Sequence, residues 1–327
     1  MLIVLGWMSR GVGLLTVLSF AVLTKPLFLE PIGPVEQLPL SSRGLIYVAV
    51  LLGGWLLFQL GTRQLVRGKR HLVETIVSFD QLVGVRYVLY LRPFVLDPVM
   101  ARPPLPDRGW YRRSPWELPG LTQEEFLVQQ FAGLGRMVAI GRPGEALPLL
   151  GAQRGYLPPD DWQTTVGELL GGAHVVMLSA APGPGTVWEF IEALRIVDPA
   201  RLVLLVCCAP AEYDAFRRAV VAAYTERAAH RNRNGSGEVD GRVLPLPDLP
   251  PFLTPDRRPG RQWNFQFKGV VVFDGDWRAR FLAFDPDVPR WRWVWTMRRV
   301  IRRELEPVTR PLSQLPPPAP RRGRPAA

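Results

Sequence analysis

Two glutamates that lie three residues apart are candidates for catalysis in this chain. Glu189 and Glu192 stand in the segment TVWEFIEAL, and on a helix they would share one face. A carboxyl group there could act as a general acid, or could stabilise positive charge on a departing sugar. Glu192 and Glu189 are therefore the candidate catalytic residues. A structural explanation stays open for Glu189, because Thr186 and Glu189 have the spacing of a helix capping box.

A set of arginines and glycines follows three predicted strands and could bind an anion. Arg92 follows the run YVLYL, the loop GRPGE follows VAI, and the turn AAPGPG follows VVMLS. The carboxyl ends of parallel strands meet at one edge of a sheet, where loop arginines and free helix amides bind phosphate. The predicted ligand-binding residues are Arg92, Arg142, Gly144, Gly185, Thr186 and Trp188. The alternative is that glycine and proline only shape turns here and that the arginines face solvent.

Composition and motifs disfavour several other function classes. The glycine-rich turn is neither a Walker A motif nor a GxGxxG motif, so the dinucleotide-binding signature is absent. The net charge of +11 comes almost entirely from arginine, but no zinc-finger, RNP-type or homeodomain pattern accompanies it, and no nucleic-acid partner is expected. Cys207 and Cys208 are adjacent and the three histidines are scattered, so no metal site is predicted. The sequence does not indicate which cofactor, if any, the protein uses.

Alternating strand and helix patterns predict the fold. Apolar runs of strand length alternate four times with helical patterns, which indicates a parallel sheet with helices on both faces. We therefore predict an α/β fold with a doubly wound, mostly parallel, five-stranded sheet of the flavodoxin-like type. The predicted strands are 86–91, 137–140, 174–178, 201–208 and 270–273. Asp274 and Gly275 then indicate a hairpin, after which 277–284 would return antiparallel at the sheet edge.

Two apolar stretches near the N-terminus predict membrane attachment. Residues 2–23 and 44–60 each approach the roughly 20 residues that cross a bilayer, and we predict that they form a transmembrane hairpin. The basic residues that follow the second stretch place the C-terminal side in the cytoplasm; they are Arg63, Arg67, Lys69 and Arg70. The predicted organisation is a hairpin in 1–70, a cytoplasmic α/β domain in 71–306 and a disordered Pro/Arg-rich tail in 307–327. The chain would thus be a multi-pass protein of the cell membrane.

The order of the segments YVLYLRPF, VAIGRPGE, DDW, GELL, HVVMLS and WEF resembles that of a TIR-like domain, over roughly residues 86–208. In that family the first strand ends near Arg and Asp, a Ser follows the third strand, and a helix carries a Glu four residues beyond a Trp. The corresponding residues here are Arg92, Asp97, Ser179, Trp188 and Glu192. Because TIR domains that cleave NAD use that glutamate for catalysis, the resemblance implies that Glu192 is the catalytic residue, with Glu189 as the alternative.

This chain departs from the TIR pattern in two places. Glu189 stands where a Cys usually lies beside the Trp, and the GRPGE loop is not typical of TIR domains. The chain also resembles membrane-tethered bacterial proteins with LRPF, GRPGE, DDW and WE segments, a likeness that implies no particular activity.

Three functions follow as hypotheses. The first is a membrane-anchored cytoplasmic TIR-like domain that binds a nucleotide-like ligand and, if catalytic, cleaves a glycosidic bond as NAD or nucleotide glycohydrolases do. The second is a non-catalytic signalling or scaffold module that assembles through the α/β domain, which would make a homo-oligomer. The third is a membrane transferase that uses a nucleotide-activated donor, for which Asp274 and Asp276 are the acidic candidates, although a hairpin turn explains both. The lipid bilayer is the other expected partner.

Overall fold

A computed structural model of the chain describes residues 1–19, 22, 37–102, 105–106, 122–145, 148–157, 161–233, 246–254, 263–264, 266–284 and 294–318. The contacts within the chain divide it into two compact units, with their boundary between Val73 and Glu74. The first is a pair of helices. The second is an α/β unit.

The first unit consists of two apolar helices, α1 (Leu2–Leu18) and α2 (Leu40–Arg70). Among the described residues, α2 is the one helix that is both long and apolar enough to cross a membrane, whereas α1 is a shorter apolar helix. Length and composition thus support one of the two predicted membrane-spanning helices. The segment that joins the predicted pair lies largely outside the described residues.

Glycines allow α1 and α2 to pack closely. A Cβ atom built on Gly13 would lie 2.6 Å from the backbone oxygen of Gly54, and one built on Gly61 would lie 2.7 Å from the backbone oxygen of Gly6. Because Gly6 lies near Gly61 while Gly13 lies near Gly54, the two helices run antiparallel. Backbone atoms cannot move aside as a flexible side chain can, so glycine is required where the helices touch.

Replacing Gly13 by valine should therefore separate the two helices, whereas Gly11→Val should not. A Cβ atom on Gly11 would have no neighbour within 4 Å, so the two variants differ in packing and share the same change in helix propensity. Energy transfer between dyes attached at Met8 and Leu60, two exposed positions, would report the separation in detergent. Equal energy transfer in both variants would contradict close packing at Gly13.

The second unit is built on a mixed sheet that has eight strands within the described residues, in the order β1-β5-β4-β2-β6-β7-β9-β10. The strands are β1 (Thr75–Ile76), β2 (Tyr87–Leu91), β4 (Arg136–Gly141), β5 (Gln153–Tyr156), β6 (Val175–Ser179), β7 (Leu202–Val206), β9 (Gly269–Phe273) and β10 (Ala279–Ala283). A separate two-stranded sheet pairs β3 (Leu105–Pro106) with β8 (Trp263–Asn264). The first six strands of the large sheet are parallel, and β9 and β10 each run antiparallel to their neighbour.

The predicted α/β class with a mostly parallel sheet is confirmed, and the predicted strand number of five is wrong. The hairpin return at β10 is as expected from Asp274 and Gly275. The strands of the large sheet that were not predicted are β1 and β5, and neither strand of the small sheet, β3 or β8, was predicted. β1 has only two residues, and β5 has the sequence QRGY, which contains no apolar run.

Helices cover both faces of the large sheet because its central strands are apolar on both sides. YVLYL, VVMLS and LVLLV are buried at every position, as expected of strands inside a parallel sheet. One face packs against α5 (Trp162–Gly172), α6 (Pro184–Ile196) and α7 (Pro210–Arg233). The other packs against α4 (Gln123–Phe131) and α8 (Val294–Gln314). The remaining short helix, α3 (Asp97–Met100), follows β2.

The strand order creates a crevice near the middle of the sheet. From β2 the chain passes through α4 to β4 on one side, then returns through α5 to β6 on the other side. In open α/β sheets this reversal leaves a gap outside the carboxyl ends of the strands, and ligands bind there. The site described below lies at this edge.

The C-terminal segment corrects the prediction of a disordered tail from residue 307. α8 continues through Pro307 and Pro311 to Gln314, with both prolines exposed and with Leu305, Val308 and Leu312 buried in the core. Arginines from the sheet also bind its end, since Arg86 donates to the carbonyl of Ser313 at 3.1 Å and Arg201 donates to that of Pro316 at 2.6 Å. Apolar burial and these hydrogen bonds outweigh the amide bonds that proline removes. Residues 319–327 lie outside the described residues.

Candidate functional site

A cavity of about 250 Å³ opens at the carboxyl edge of the sheet. The segments that form it are the end of β2, the end of β4, and the first turns of α5 and α6. Its walls are mainly apolar, and the side chains that make them so are Leu91, Phe94, Ile140, Pro143, Leu157 and Trp162. It therefore lies at the crevice that the strand order creates, where a ligand site is expected.

Among the described residues, Glu189 is the carboxylic residue that lines this cavity. No hydrogen bond or ion pair joins it to another residue in the part of the chain that the structure describes. Burial raises the pKa of Glu189 from its ordinary value of 4.5 to about 8. The group is thus mostly protonated at neutral pH, when it can donate a hydrogen bond or a proton.

The start of α6 explains why Glu189 is available. The helix begins at Pro184 with Gly183 as its N-cap, and no side chain caps it. Proline is favoured in the first turn because its missing N–H has no helical acceptor there in any case. Thr186 is therefore the third residue of the helix and not its N-cap. The predicted capping box between Thr186 and Glu189 is wrong, and this leaves the Glu189 carboxyl free for the cavity.

Gly185 and Thr186, two of the residues predicted to bind a ligand, also line the cavity. They belong to the first turn of α6, where backbone N–H groups have no acceptor within the helix. Such a turn favours an anionic or strongly polar group at the cavity mouth. Trp188, the third predicted residue of this segment, packs edge-on against Trp162 with ring centroids 4.9 Å apart. Trp162 forms the wall, and Trp188 supports it.

Arg92 lines the cavity, but buried carboxylates bind its guanidinium. Its Nη1 donates to Asp97, and its Nη2 donates to Glu124 at 2.9 Å. Glu124 also accepts a hydrogen bond from Arg154 at 3.0 Å, and Arg154 forms an ion pair with Glu145 at 3.8 Å. We call these five residues the buried arginine cluster. Three carboxylates face two guanidinium groups, so Arg92 offers little net positive charge to a ligand.

Glu124 and Arg154 are not among the predicted site residues, and their side chains are fully buried. Glu124 stands beside the capping box of α4, in which the side chain of Thr122 accepts from the backbone of Glu125 and the side chain of Glu125 accepts from the backbone of Thr122. Arg154 lies in the unrecognised strand β5. The signal that could have found them is the arginine within a short segment flanked by glycines, since buried arginines need carboxylates nearby.

Glu192 lies apart from the cavity. Among the described residues, those that line the cavity do not include Glu192, Arg142 or Gly144. Glu192 accepts hydrogen bonds from Arg195, one turn later in α6, and forms an ion pair at 3.4 Å with Arg227 of α7. Arg142 and Gly144 are both exposed in the loop after β4. The structure thus brings together Glu189, Gly185, Thr186 and Arg92 of the predicted residues.

Two further observations bear on the chemistry. Among the described residues, no group of three or more His, Cys, Asp or Glu side chains is arranged to hold a metal ion. Cys207 and Cys208 are buried, and burial raises the pKa of each thiol to about 12, so neither is a thiolate at neutral pH. Among the described residues that line the cavity, Glu189 is the group whose pKa lies near neutral pH.

Comparison with protein-family models, with curated proteins and with solved structures finds no match to this chain.

Proposed function

We propose that the α/β unit binds a nucleotide-like ligand whose ring enters the cavity beside Glu189. The observation that carries this proposal is a carboxyl group that has no partner among the described residues and that lines an apolar, aromatic cavity at the crevice of a doubly wound sheet. A carboxyl group whose pKa is perturbed by burial in such a cleft is a candidate for a functional site. The resemblance to TIR-like domains belongs to the same proposal.

The cavity size favours one ring as the enclosed part of the ligand. Cavities that enclose whole drug-sized ligands hold about 300–1,000 Å³, and this one holds about 250 Å³. A heteroaromatic ring would contact Phe94 and Trp162 and would exchange a hydrogen bond with Glu189. A ribose and phosphate would then extend toward the first turn of α6, where Gly185 and Thr186 offer backbone N–H groups.

The same placement would suit cleavage of an N-glycosidic bond. With its pKa at about 8, Glu189 holds a proton at neutral pH and would give it to the nitrogen of a departing base. Water would add to the sugar carbon as the carbon–nitrogen bond breaks, and the Glu189 carboxylate would stabilise positive charge on the sugar and then take the proton that the water releases. General acids of this kind contribute about 10²–10⁴-fold to a rate.

Purified full-length protein in detergent provides the test, with NAD, ADP-ribose, ATP and UDP-glucose as a ligand panel. Binding is measured by calorimetry and hydrolysis by chromatography of the products. We expect at least one nucleotide to bind, and Glu189→Gln to abolish any hydrolysis while Glu192→Gln leaves it unchanged. Glu168→Gln, at an exposed position of α5, is the matched control. If no member of the panel binds, the proposal is contradicted.

The other two hypotheses predict different outcomes of the same experiment. Binding without turnover in the wild type would favour a non-catalytic signalling or scaffold module. Preference for UDP-glucose, with transfer of the sugar to a lipid, would favour the membrane transferase. No observation on the described residues prefers either of these over ligand binding with Glu189.

We also propose that α1 and α2 insert into the cell membrane as a hairpin, with the α/β unit in the cytoplasm. The close glycine contacts and the exposed apolar side chains of both helices support insertion as a pair. The basic residues Arg67, Lys69 and Arg70 in the last turn of α2 support a cytoplasmic end. A cysteine introduced at exposed Leu72 should resist an impermeant thiol reagent in intact cells, and its rapid labelling would exclude this orientation.

A further inference from the structure

We infer that the hairpin of α1 and α2 binds the phosphate of an anionic phospholipid at Arg10, on the cytoplasmic side of the membrane. The inference goes beyond the nucleotide site and rests on the proposed insertion of the hairpin. It starts from a cation that is buried between two apolar helices. Arg10 is 6% exposed, and its Nε and Nη1 atoms have no hydrogen-bond partner among the described residues.

A glycine makes room for this side chain. A Cβ atom built on Gly61 would lie 2.6 Å from Cγ of Arg10, so a larger residue there would collide with the arginine. The guanidinium carbon lies 4.5 Å from the ring centroid of Phe58 and 5.5 Å from that of Trp7. Aromatic faces attract the cation, but they carry no net charge and leave its N–H groups without oxygen acceptors. Arginines within a membrane pair with anions, so a counter-ion is still needed.

The described residues of the hairpin contain no acidic side chain that could be this counter-ion. The acidic residues among positions 1–70 are Glu30 and Glu36, which stand in the sequence between the two helices. Arg10 contacts α2 at Gly61, and α2 rises about 30 Å from its start to that residue. A second copy in the same orientation carries its acidic residues in the same segment. The anion therefore comes from outside the hairpin.

The depth of Arg10 in the membrane favours a lipid phosphate. Arg63 is the first charged residue after the apolar run of α2 and so marks the cytoplasmic surface. Gly61 comes two residues earlier, about 3 Å deeper along the helix axis. A long arginine side chain near the end of a span extends to the headgroups. The phosphates of the cytoplasmic leaflet thus lie within reach of the guanidinium group.

A second polar atom near the same glycine also lacks a partner. Oε1 of Gln64, three residues after Gly61 on α2, is buried without a hydrogen bond among the described residues. Residues three apart on a helix are neighbours, so Gln64 and the stem of Arg10 both lie beside Gly61. Phosphate oxygens only accept hydrogen bonds, whereas the hydroxyl groups of a glycerol headgroup donate them. Phosphatidylglycerol offers both groups.

The charge of the hairpin favours a lipid with a net negative charge. Its described residues include arginine and lysine and no acidic residue. A zwitterionic lipid brings an ammonium group with its phosphate, and the basic end of the hairpin repels that group. Basic pockets between membrane helices on the cytoplasmic side bind anionic headgroups for this reason.

The test places full-length protein in phosphatidylcholine vesicles with a trace of spin-labelled phosphatidylglycerol or spin-labelled phosphatidylcholine. Electron paramagnetic resonance measures the immobilised fraction of each lipid, which gives their relative association constants. We expect phosphatidylglycerol to associate about fivefold more strongly, the effect of one basic residue near a membrane. Arg10→Leu should abolish this preference. Arg10→Lys should retain part of it, because lysine keeps the charge but loses the planar fork.

The matched control is Arg67→Leu, which removes an exposed arginine from the same end of α2 and should keep a clear preference. A preference that Arg10→Leu leaves intact would overturn the inference. Equal losses in Arg10→Leu and Arg67→Leu would also overturn it, because they would show diffuse attraction to the basic surface. No preference in the wild type would overturn it as well and would favour a carboxylate of a partner protein as the counter-ion.

Two measurements separate the lipid site from the insertion on which it rests. Extraction of the protein from the vesicles by alkaline carbonate would contradict both, whereas inserted protein without a lipid preference would contradict the lipid site alone. Energy transfer between dyes at Met8 and Leu60 would show whether the helices stay together in Arg10→Leu. If they separate, Arg10→Gln takes its place, with the same expected loss of preference.

Discussion

Replacing Glu124 by leucine should destabilise the α/β unit by about 3–5 kcal/mol, because it leaves two buried guanidinium groups without their shared partner. Glu124 accepts hydrogen bonds from Arg92 at 2.9 Å, from Arg154 at 3.0 Å and from the backbone N–H of Ala152 at 3.2 Å. Its side chain is fully buried, as is that of Arg154, so water cannot replace the lost interactions. Chemical denaturation of the full-length protein in detergent, followed by tryptophan fluorescence, would measure the change.

Two further variants test whether the loss of stability comes from the loss of the buried charge. Glu168→Leu changes an exposed glutamate of α5 in the same way and should alter the free energy of unfolding by less than about 0.5 kcal/mol. Glu124→Gln keeps the shape but removes the charge, and should fall between the two. A Glu124→Leu variant as stable as the wild type would mean that the buried arginine cluster does not form as described.

The second large effect concerns Glu189 and depends on pH. The carboxyl group of an unfolded chain ionises near 4.5, whereas burial raises the pKa of Glu189 in the folded protein to about 8. Between these values the folded state holds a proton that the unfolded state has lost. The stabilising contribution of Glu189 to the free energy of unfolding is therefore fully present below pH 4.5. It is lost as the pH rises to 8, at about 1.4 kcal/mol per pH unit.

Glutamine has no charge at any pH, so Glu189→Gln should remove this dependence of the free energy of unfolding on pH. The variant should match the wild type near pH 5 and should be clearly more stable at pH 8, by several degrees in the thermal midpoint. Glu168→Gln should retain the slope of the wild type. If Glu189→Gln is less stable than the wild type at pH 8, the carboxyl group has a partner in the cavity and is not held there unpaired.

The central strands could be predicted from the sequence because their burial leaves a simple signature. A strand covered on both faces must be apolar throughout, and YVLYL, VVMLS and LVLLV stand out for that reason. β5 left no such signature. Its Arg154 is buried with the carboxylate of Glu124 on α4, and its Gly155 lies where a Cβ atom would be 2.2 Å from the ring of Phe79. Both features depend on residues distant in sequence.

The position of the cavity could be predicted from the sequence, but only some of the residues that line it could be. The carboxyl edge of the sheet follows from the alternation of strands and helices, and it brought Arg92, Gly185, Thr186 and Glu189 together. The pairing of the Arg92 guanidinium group with a carboxylate does not follow from the sequence, because its partner Glu124 lies 32 positions away.

The choice between the two glutamates illustrates the limit of helical spacing. Residues three apart share a broad face, but the cavity reaches Glu189 while Arg195 and Arg227 bind Glu192. The sequence did carry one unused signal, since Pro184 is suited to the first helical position and already argued against Thr186 as the N-cap. The position of α7, which brings Arg227 to Glu192, is a property of the folded structure.

The most direct test of the site is the pKa of the Glu189 carboxyl group, measured by ¹³C NMR titration of the full-length protein with and without the nucleotide panel. The Glu189→Gln spectrum assigns the signal. We expect a pKa of about 8 in the empty protein and a distinct shift when a nucleotide is bound. A carboxyl group that titrates near 4.5 and is insensitive to every nucleotide would contradict the assignment of this cavity as the functional site.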